Sequence, residues 1–134
     1  MEVRELLKVV LQDGNKDCGV CCLLSIIRYY GGDVSKEYLR ELTGTTKSGV
    51  SCYQLLEAAR NVGFSGEGVK GDVLHLDSSR LPCIAHIIYQ KKYQHFVVIY
   101  QMDAKKKLIT LMDPAKGKVC LSYSEFQMLS SGYF

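Results

Sequence analysis

The chain has 134 residues, 47% of them hydrophobic and 23% charged, with a formal net charge of +3. That balance supports one packed core and excludes a disordered tail or a coiled coil, and the modest positive charge falls short of a nucleic-acid binder. No apolar run approaches the ~18 residues of a spanning helix, and Met1 to Glu5 carry both charge signs where a signal peptide would be apolar.

The elements read in chain order as helices followed by strands. Asp17 is placed to N-cap a helix opening at Cys18, and the run Gly19 to Tyr30 is apolar on nearly every side, so this helix is expected to be central and buried. Gly31-Gly32 stops it. Ser35 opens a second helix, Lys36 to Leu42, which ends at Gly44. Ser51-Cys52-Tyr53-Gln54 is a capping box, and Leu55, Leu56, Ala59 and Val62 form the apolar stripe of a third helix. Strands are predicted at Gly66 to Asp72 (weak), Cys83 to Tyr89, Phe96 to Met102, Leu108 to Met112 and Lys118 to Leu121. A second capping box, Ser122 to Glu125, starts a terminal helix with Phe126 and Leu129 inward. Helices first and strands later imply an α+β fold with an antiparallel sheet.

The six cysteines are Cys18, Cys21, Cys22, Cys52, Cys83 and Cys120. A chain of this length builds a core without disulfide staples, so all but Cys18 are expected to be buried free thiols in a reducing compartment. Cys18 differs because it opens a helix, where partial positive charge and free N–H groups favour a thiolate. Gly19 behind it is expected to leave room for a substrate backbone. Asp17 acts against a thiolate unless its charge is occupied by capping.

A nucleophilic cysteine needs a base, and the chain offers His75, His86 and His95. His75 lies in a polar stretch and reads as a surface loop residue. His86 lies mid-strand as a packed or groove residue. His95 stands at the mouth of a strand, where a side chain can face a cleft. With a hairpin turn centred on Ala104, paired positions sum to 208, which sets Asp113 opposite His95 or within one residue of it. A carboxylate there would orient the imidazole and stabilise its cation. Gln12, six residues before Cys18 across Asp13-Gly14-Asn15-Lys16, can supply an oxyanion donor beside the Cys18 backbone N–H.

Gln12, Asp17-Cys18-Gly19, Cys22, His95-Phe96-Val97-Val98 and Asp113-Pro114-Ala115 together resemble the bacteriocin-processing cysteine peptidase domain of bacterial peptide-exporting ABC transporters. The resemblance runs from Gln12 to the terminal helix, with Cys21 as a departure where the family more often has a small, Ala-like residue. It implies a papain-like fold in which 1–134 is a single domain, excised from the N-terminus of an exporter. By resemblance Cys18 matches the nucleophile, His95 the base, Asp113 its orienting partner and Gln12 the oxyanion residue. The implied substrate is a precursor peptide cut after a Gly-Gly or Gly-Ala leader motif. The implied partners are the transmembrane and ATP-binding domains of the parent exporter, at the cytoplasmic face of the membrane. No cofactor, metal or nucleic acid is expected. Ile27, Tyr30, Tyr38 and Leu39 are candidates for an apolar groove that takes a leader helix.

Three rival readings remain from the residues. Cys18-Gly19-Val20-Cys21 is a C-x-x-C at a helix start, as in thioredoxin-like proteins, but this leaves Gln12, His95 and Asp113 without a role. Cys18, Cys21 and Cys22 are close enough for zinc but lack a second pair at ligand spacing. A catalytically silent leader-binding domain has no use for a thiolate. Lys91-Lys92 and Lys105-Lys106-Lys107 read as solvated hairpin ends.

Overall fold

The computed structural model describes residues 7–14, 16–47 and 49–134, so Met1 to Glu5 and Asn15 of the loop before Cys18 lie outside the described residues. Three helices come first: α1 (Cys18–Tyr29), α2 (Lys36–Thr43) and α3 (Cys52–Asn61). Four strands follow, β1 (Cys83–Tyr89), β2 (Tyr93–Asp103), β3 (Leu108–Asp113) and β4 (Gly117–Ser122), and α4 (Tyr123–Leu129) comes after them. The strands form one antiparallel sheet in the order β1-β2-β3-β4. Among the described residues no helix is long and apolar enough to cross a membrane.

The helix boundaries follow the local chemistry. Ser35 accepts from the Tyr38 N–H, and α2 stops at Gly44, whose φ of 71° suits glycine. Both capping boxes form, at Ser51/Gln54 and at Ser122/Glu125. Asp17 is the exception: it precedes α1 without a side-chain cap, because its carboxylate is held elsewhere. The predicted strand at Gly66 to Asp72 is reduced to a bridge, Lys70 with Tyr133, because the neighbour available to it is the short segment 132–134.

The sheet is covered on both faces. On one, Leu23, Leu24, Cys22 and Leu39 pack with Phe96, Val98 and Met112. On the other, Phe126 of α4 packs with Val97, Ile99, Ile109 and Leu111. Two apolar faces on β2 and β3 explain why these strands read as continuous hydrophobic runs. Ser25, a buried hydroxyl on the apolar α1, bonds the Lys8 carbonyl at 2.5 Å and the Tyr100 hydroxyl at 2.6 Å, tying the N-terminal segment to helix and sheet.

The thiols are less uniform than expected. Cys21 and Cys22 are buried, Cys83 is half-buried, but Cys52 and Cys120 are exposed, and all six are free. Cys52 sits in the first turn of α3 and Cys120 on the outermost strand β4, both outside the apolar stripes of their elements.

Candidate active site

Cys18 occupies the first turn of α1 and is buried, with 7% of its surface exposed. His95 approaches it from β2, and the Cys18 side chain is among the groups that act on its imidazole. One ring nitrogen is engaged: His95 Nε2 lies 2.7 Å from Asp113 Oδ1. That leaves Nδ1 for the thiol side.

The register that joins His95 to Asp113 differs from the sequence arithmetic. His95 lies inside β2, not at its mouth, and pairs with Ile87. Asp103 to Gln101 pair with Leu108 to Thr110, and after a bulge at Tyr100 the pairing resumes as Ile99↔Leu111 and Val98↔Met112. The hairpin turn occupies residues 104–107. Pair sums are therefore 211 before the bulge and 210 after it, and Asp113 falls diagonal to His95, two positions from direct opposition. The bulge is decisive: without it the odd sum would put Asp113 on the face shared with Val98. One extra residue in β2 returns Asp113 to the alternating set of His95, Val97 and Ile99.

Asp113 is 1% exposed and fully engaged. Oδ1 also accepts from the Ala115 N–H at 2.8 Å, and Oδ2 accepts from the Tyr89 hydroxyl at 2.8 Å. Burial works to raise the Asp113 carboxyl, but the bonds from His95, Ala115 and Tyr89 outweigh it and hold it below the usual range. For His95, burial works to lower the imidazole, yet hydrogen bonds to Asp113 and Cys18 and their charges push it up to about 9. Nothing in the sequence singles out Tyr89; its only signal is its place at the end of β1, beside the hairpin that returns to His95.

Gln12 is anchored one residue beyond Asp113: its backbone N–H donates to the Pro114 carbonyl at 2.8 Å. Its side-chain Oε1 is buried and has no hydrogen-bond partner among the described residues. Asp17 is buried, with 8% of the residue exposed, and its carboxylate is gripped by Arg40 of α2. Its charge is thus occupied by an ion pair in place of a helix cap. Gly19 serves packing, not substrate: a Cβ there would lie 2.5 Å from a Val50 methyl and 3.2 Å from Leu55.

The other histidines stay apart from this corner. His75 is exposed in a short 3-10 turn. His86 packs at a tilt against Phe96, centroids 5.0 Å apart, and bonds Ser131 Oγ at 2.8 Å and Gln94 Oε1 at 3.2 Å. A dithiol site at Cys18 and Cys21 is disfavoured, because Cys21 is fully buried and burial pushes its thiol up to about 11.

A groove of about 550 Å³ opens beside α3. Its apolar walls include Leu56 and Ala59 of α3, Phe64, Ile84 of β1, and Phe134. Of the four groove candidates, Tyr30 lines it and is 63% exposed. Tyr38 is exposed but lies away from it, and Ile27 and Leu39 belong to the core. The rest of the groove escapes a reading of the sequence because its lining is gathered from α3, the 64–69 loop, β1 and 133–134. The available signal is aromatic residues in glycine- and serine-rich stretches, Gly63-Phe64-Ser65-Gly66 and Ser131-Gly132-Tyr133-Phe134, where no helical or strand stripe accounts for them.

Comparison with known proteins places these features in a family. The model of the peptidase C39 family matches residues 7–134. The lactococcin-G-processing and transport ATP-binding protein LagD of Lactococcus lactis is 40% identical over 121 residues, 89% of this chain, and the chain spans 17% of that protein's length. The crystal structure of the peptidase domain of Streptococcus ComA, a bi-functional ABC transporter, superposes with a TM-score of 0.85 at 32% identity, covering 95% of this chain and 94% of that one. A double glycine motif protease from an AMS/PCAT transporter, solved with its leader peptide, gives 0.80 at 28% identity over 95% of this chain and 87% of that one. The fold is therefore papain-like.

Proposed function

The chain belongs to the peptidase C39 family, and on that premise we propose that it is a cysteine endopeptidase that removes the leader of an exported precursor peptide after a Gly-Gly or Gly-Ala motif. The observation that carries this reading is the buried His95–Asp113 pair, 2.7 Å apart, set against a cysteine in the first turn of a helix.

The proposed mechanism uses these residues in turn. His95, protonated between Asp113 and Cys18, stabilises the thiolate, which attacks the carbonyl carbon of the residue before the scissile bond. The backbone N–H at the start of α1 and the Gln12 amide receive the developing oxyanion. His95 gives its proton to the leaving amine and then takes one from the water that hydrolyses the thioester, returning the thiolate beside a protonated His95. Asp113 keeps the ring aligned and does not itself carry the proton. The leader lies with its apolar face in the groove beside α3, which supplies affinity away from the bond that breaks. Within an exporter, transmembrane and ATP-binding domains are the partners, and the site faces the cytoplasm.

The test is incubation with candidate precursors and weighing of the products. Cleavage after the second small residue of the motif supports the reading, as does its loss in Cys18→Ala. A precursor with both small residues replaced by bulky ones should bind competitively and stay uncut. Wild-type chain that binds the leader and never cuts it would establish a leader-binding domain instead.

A further inference from the structure

The residue before the candidate nucleophile is a buried carboxylate that caps nothing. Arg40 meets it with a two-pronged ion pair, Nε to Oδ1 at 3.0 Å and Nη2 to Oδ2 at 2.7 Å. The same Nη2 lies 3.4 Å from Asp13 Oδ2. One turn earlier on α2, Lys36 Nζ donates to the Leu11 carbonyl at 2.6 Å and to Asp13 Oδ2 at 3.2 Å. Residues four apart share a helix face, so a single face of α2 grips the segment that carries both Gln12 and Cys18.

We infer that Arg40 is a positioning residue of the peptidase site, cancelling the charge of Asp17 beside Cys18 and fixing the start of α1. The inference rests on the peptidase reading of Cys18. A carboxylate next in sequence to a thiol, and withdrawn from water, opposes the thiolate that the reaction needs. A guanidinium matches a carboxylate with two parallel bonds and stays charged across the working pH range, so the cancellation does not titrate. The Asp17 carboxyl is accordingly held below the usual range, first by its hydrogen bond to Arg40.

The groups around Cys18 come from every side. His95, with Asp113 behind it, approaches from the sheet. Asp17 and Arg40 stand at the helix start, with Asp13 and Lys36 next to them. Cys21 and Cys22 lie on α1 itself, their thiols pushed up by burial. The field of the loop reaches this helix: behind burial, Lys36 lowers the Cys21 thiol while Asp17 and Asp13 raise it. None of Asp13, Asp17, Lys36 or Arg40 lines the apolar groove, so leader affinity is independent of the ion pair.

The experiment is the pH profile of iodoacetamide reaction at Cys18, read on the Cys18 peptide by mass spectrometry, in the whole chain. Arg40→Met should raise the pH of half-maximal reaction by about one unit, which is about tenfold slower alkylation below the midpoint. Asp17→Asn should lower it, and the double variant should return it to the wild-type profile. Arg40→Lys should keep most of the profile while lowering the cleavage rate, with KM unchanged, because the charge remains and the fork is lost. A purely structural Arg40 would leave the profile unmoved in both single variants, and that result overturns the inference, as does a shift that persists in the double variant. If Arg40→Met does not fold, Asp17→Asn decides alone: a midpoint that fails to fall overturns it. A wild-type chain that alkylates as expected and cuts no precursor counts against the peptidase reading and leaves the ion-pair result standing.

Discussion

The corner at the start of α1 and the groove beside α3 are built on opposite principles. In the corner, polar groups are buried and nearly every one is partnered: His95, Asp113, Tyr89 and the Ala115 N–H form one network, and Asp17 is closed off by Arg40. The groove is broad, open and mostly apolar, with polar side chains such as Glu67 and Arg80 paired at its edge. Ordered charge suits a transition state, whose demands are local and directional; apolar surface suits a leader, whose recognition is spread over several side chains. The two do not overlap, since neither Cys18 nor His95 lines the groove. On the proposed function, chemistry and affinity are separable, and variants should divide accordingly.

The sharpest division is Cys18→Ala. Cleavage should vanish while leader binding, measured by calorimetry, stays near wild type; loss of both would break the separation. Gln12→Ala should come next, lowering kcat by about 10²–10³-fold with KM little changed, because an oxyanion donor acts in the transition state. An unchanged kcat in steady-state assays would return Gln12 to a loop-anchoring role. Leu56→Asp, in the groove, should do the reverse and raise KM about tenfold with kcat nearly intact, as charge replaces an apolar contact.

Smaller effects sharpen the picture of the corner. His95 is pushed up to about 9 in the fold, against an ordinary imidazole value near 6.5. Folding therefore takes up a proton between these values. The stability from this residue is complete below about pH 6.5 and is lost as pH rises through about 9. Asp113, held below its usual range, adds stability that is lost only as pH falls through its lowered value. Thermal melts should show the alkaline decline in the wild type and a flatter profile in His95→Ala. Tyr89→Phe should be mildest, slowing turnover several-fold, because Asp113 keeps its bonds to His95 and Ala115 when it loses one of roughly 1.5–3 kcal/mol.

Features encoded by neighbours in sequence are legible from the residues alone. The capping boxes at Ser51 and Ser122, the stop at Gly44 and the strand at Cys83 to Tyr89 depend on side chains within a few residues of the backbone they satisfy. The association of His95 with Asp113 is legible only in part. The even sum read from the sequence has the right parity, but the turn as it forms gives the odd sum 211, and the bulge at Tyr100 restores an even one with the pairing diagonal.

What the sequence by itself determined is the set of elements and the residue types able to do thiol chemistry. Tertiary structure alone decided the bulge at Tyr100 that sets which face Asp113 takes, and the partner of Asp17, which is Arg40 from another helix and not the α1 backbone. It also decided the use of Gly19, which admits Val50 and Leu55, and the location of the groove, whose walls come from segments far apart in the chain. The reason is common to all four. Each depends on which surfaces meet after the elements pack, and a contact between distant segments leaves no periodicity or spacing in either of them.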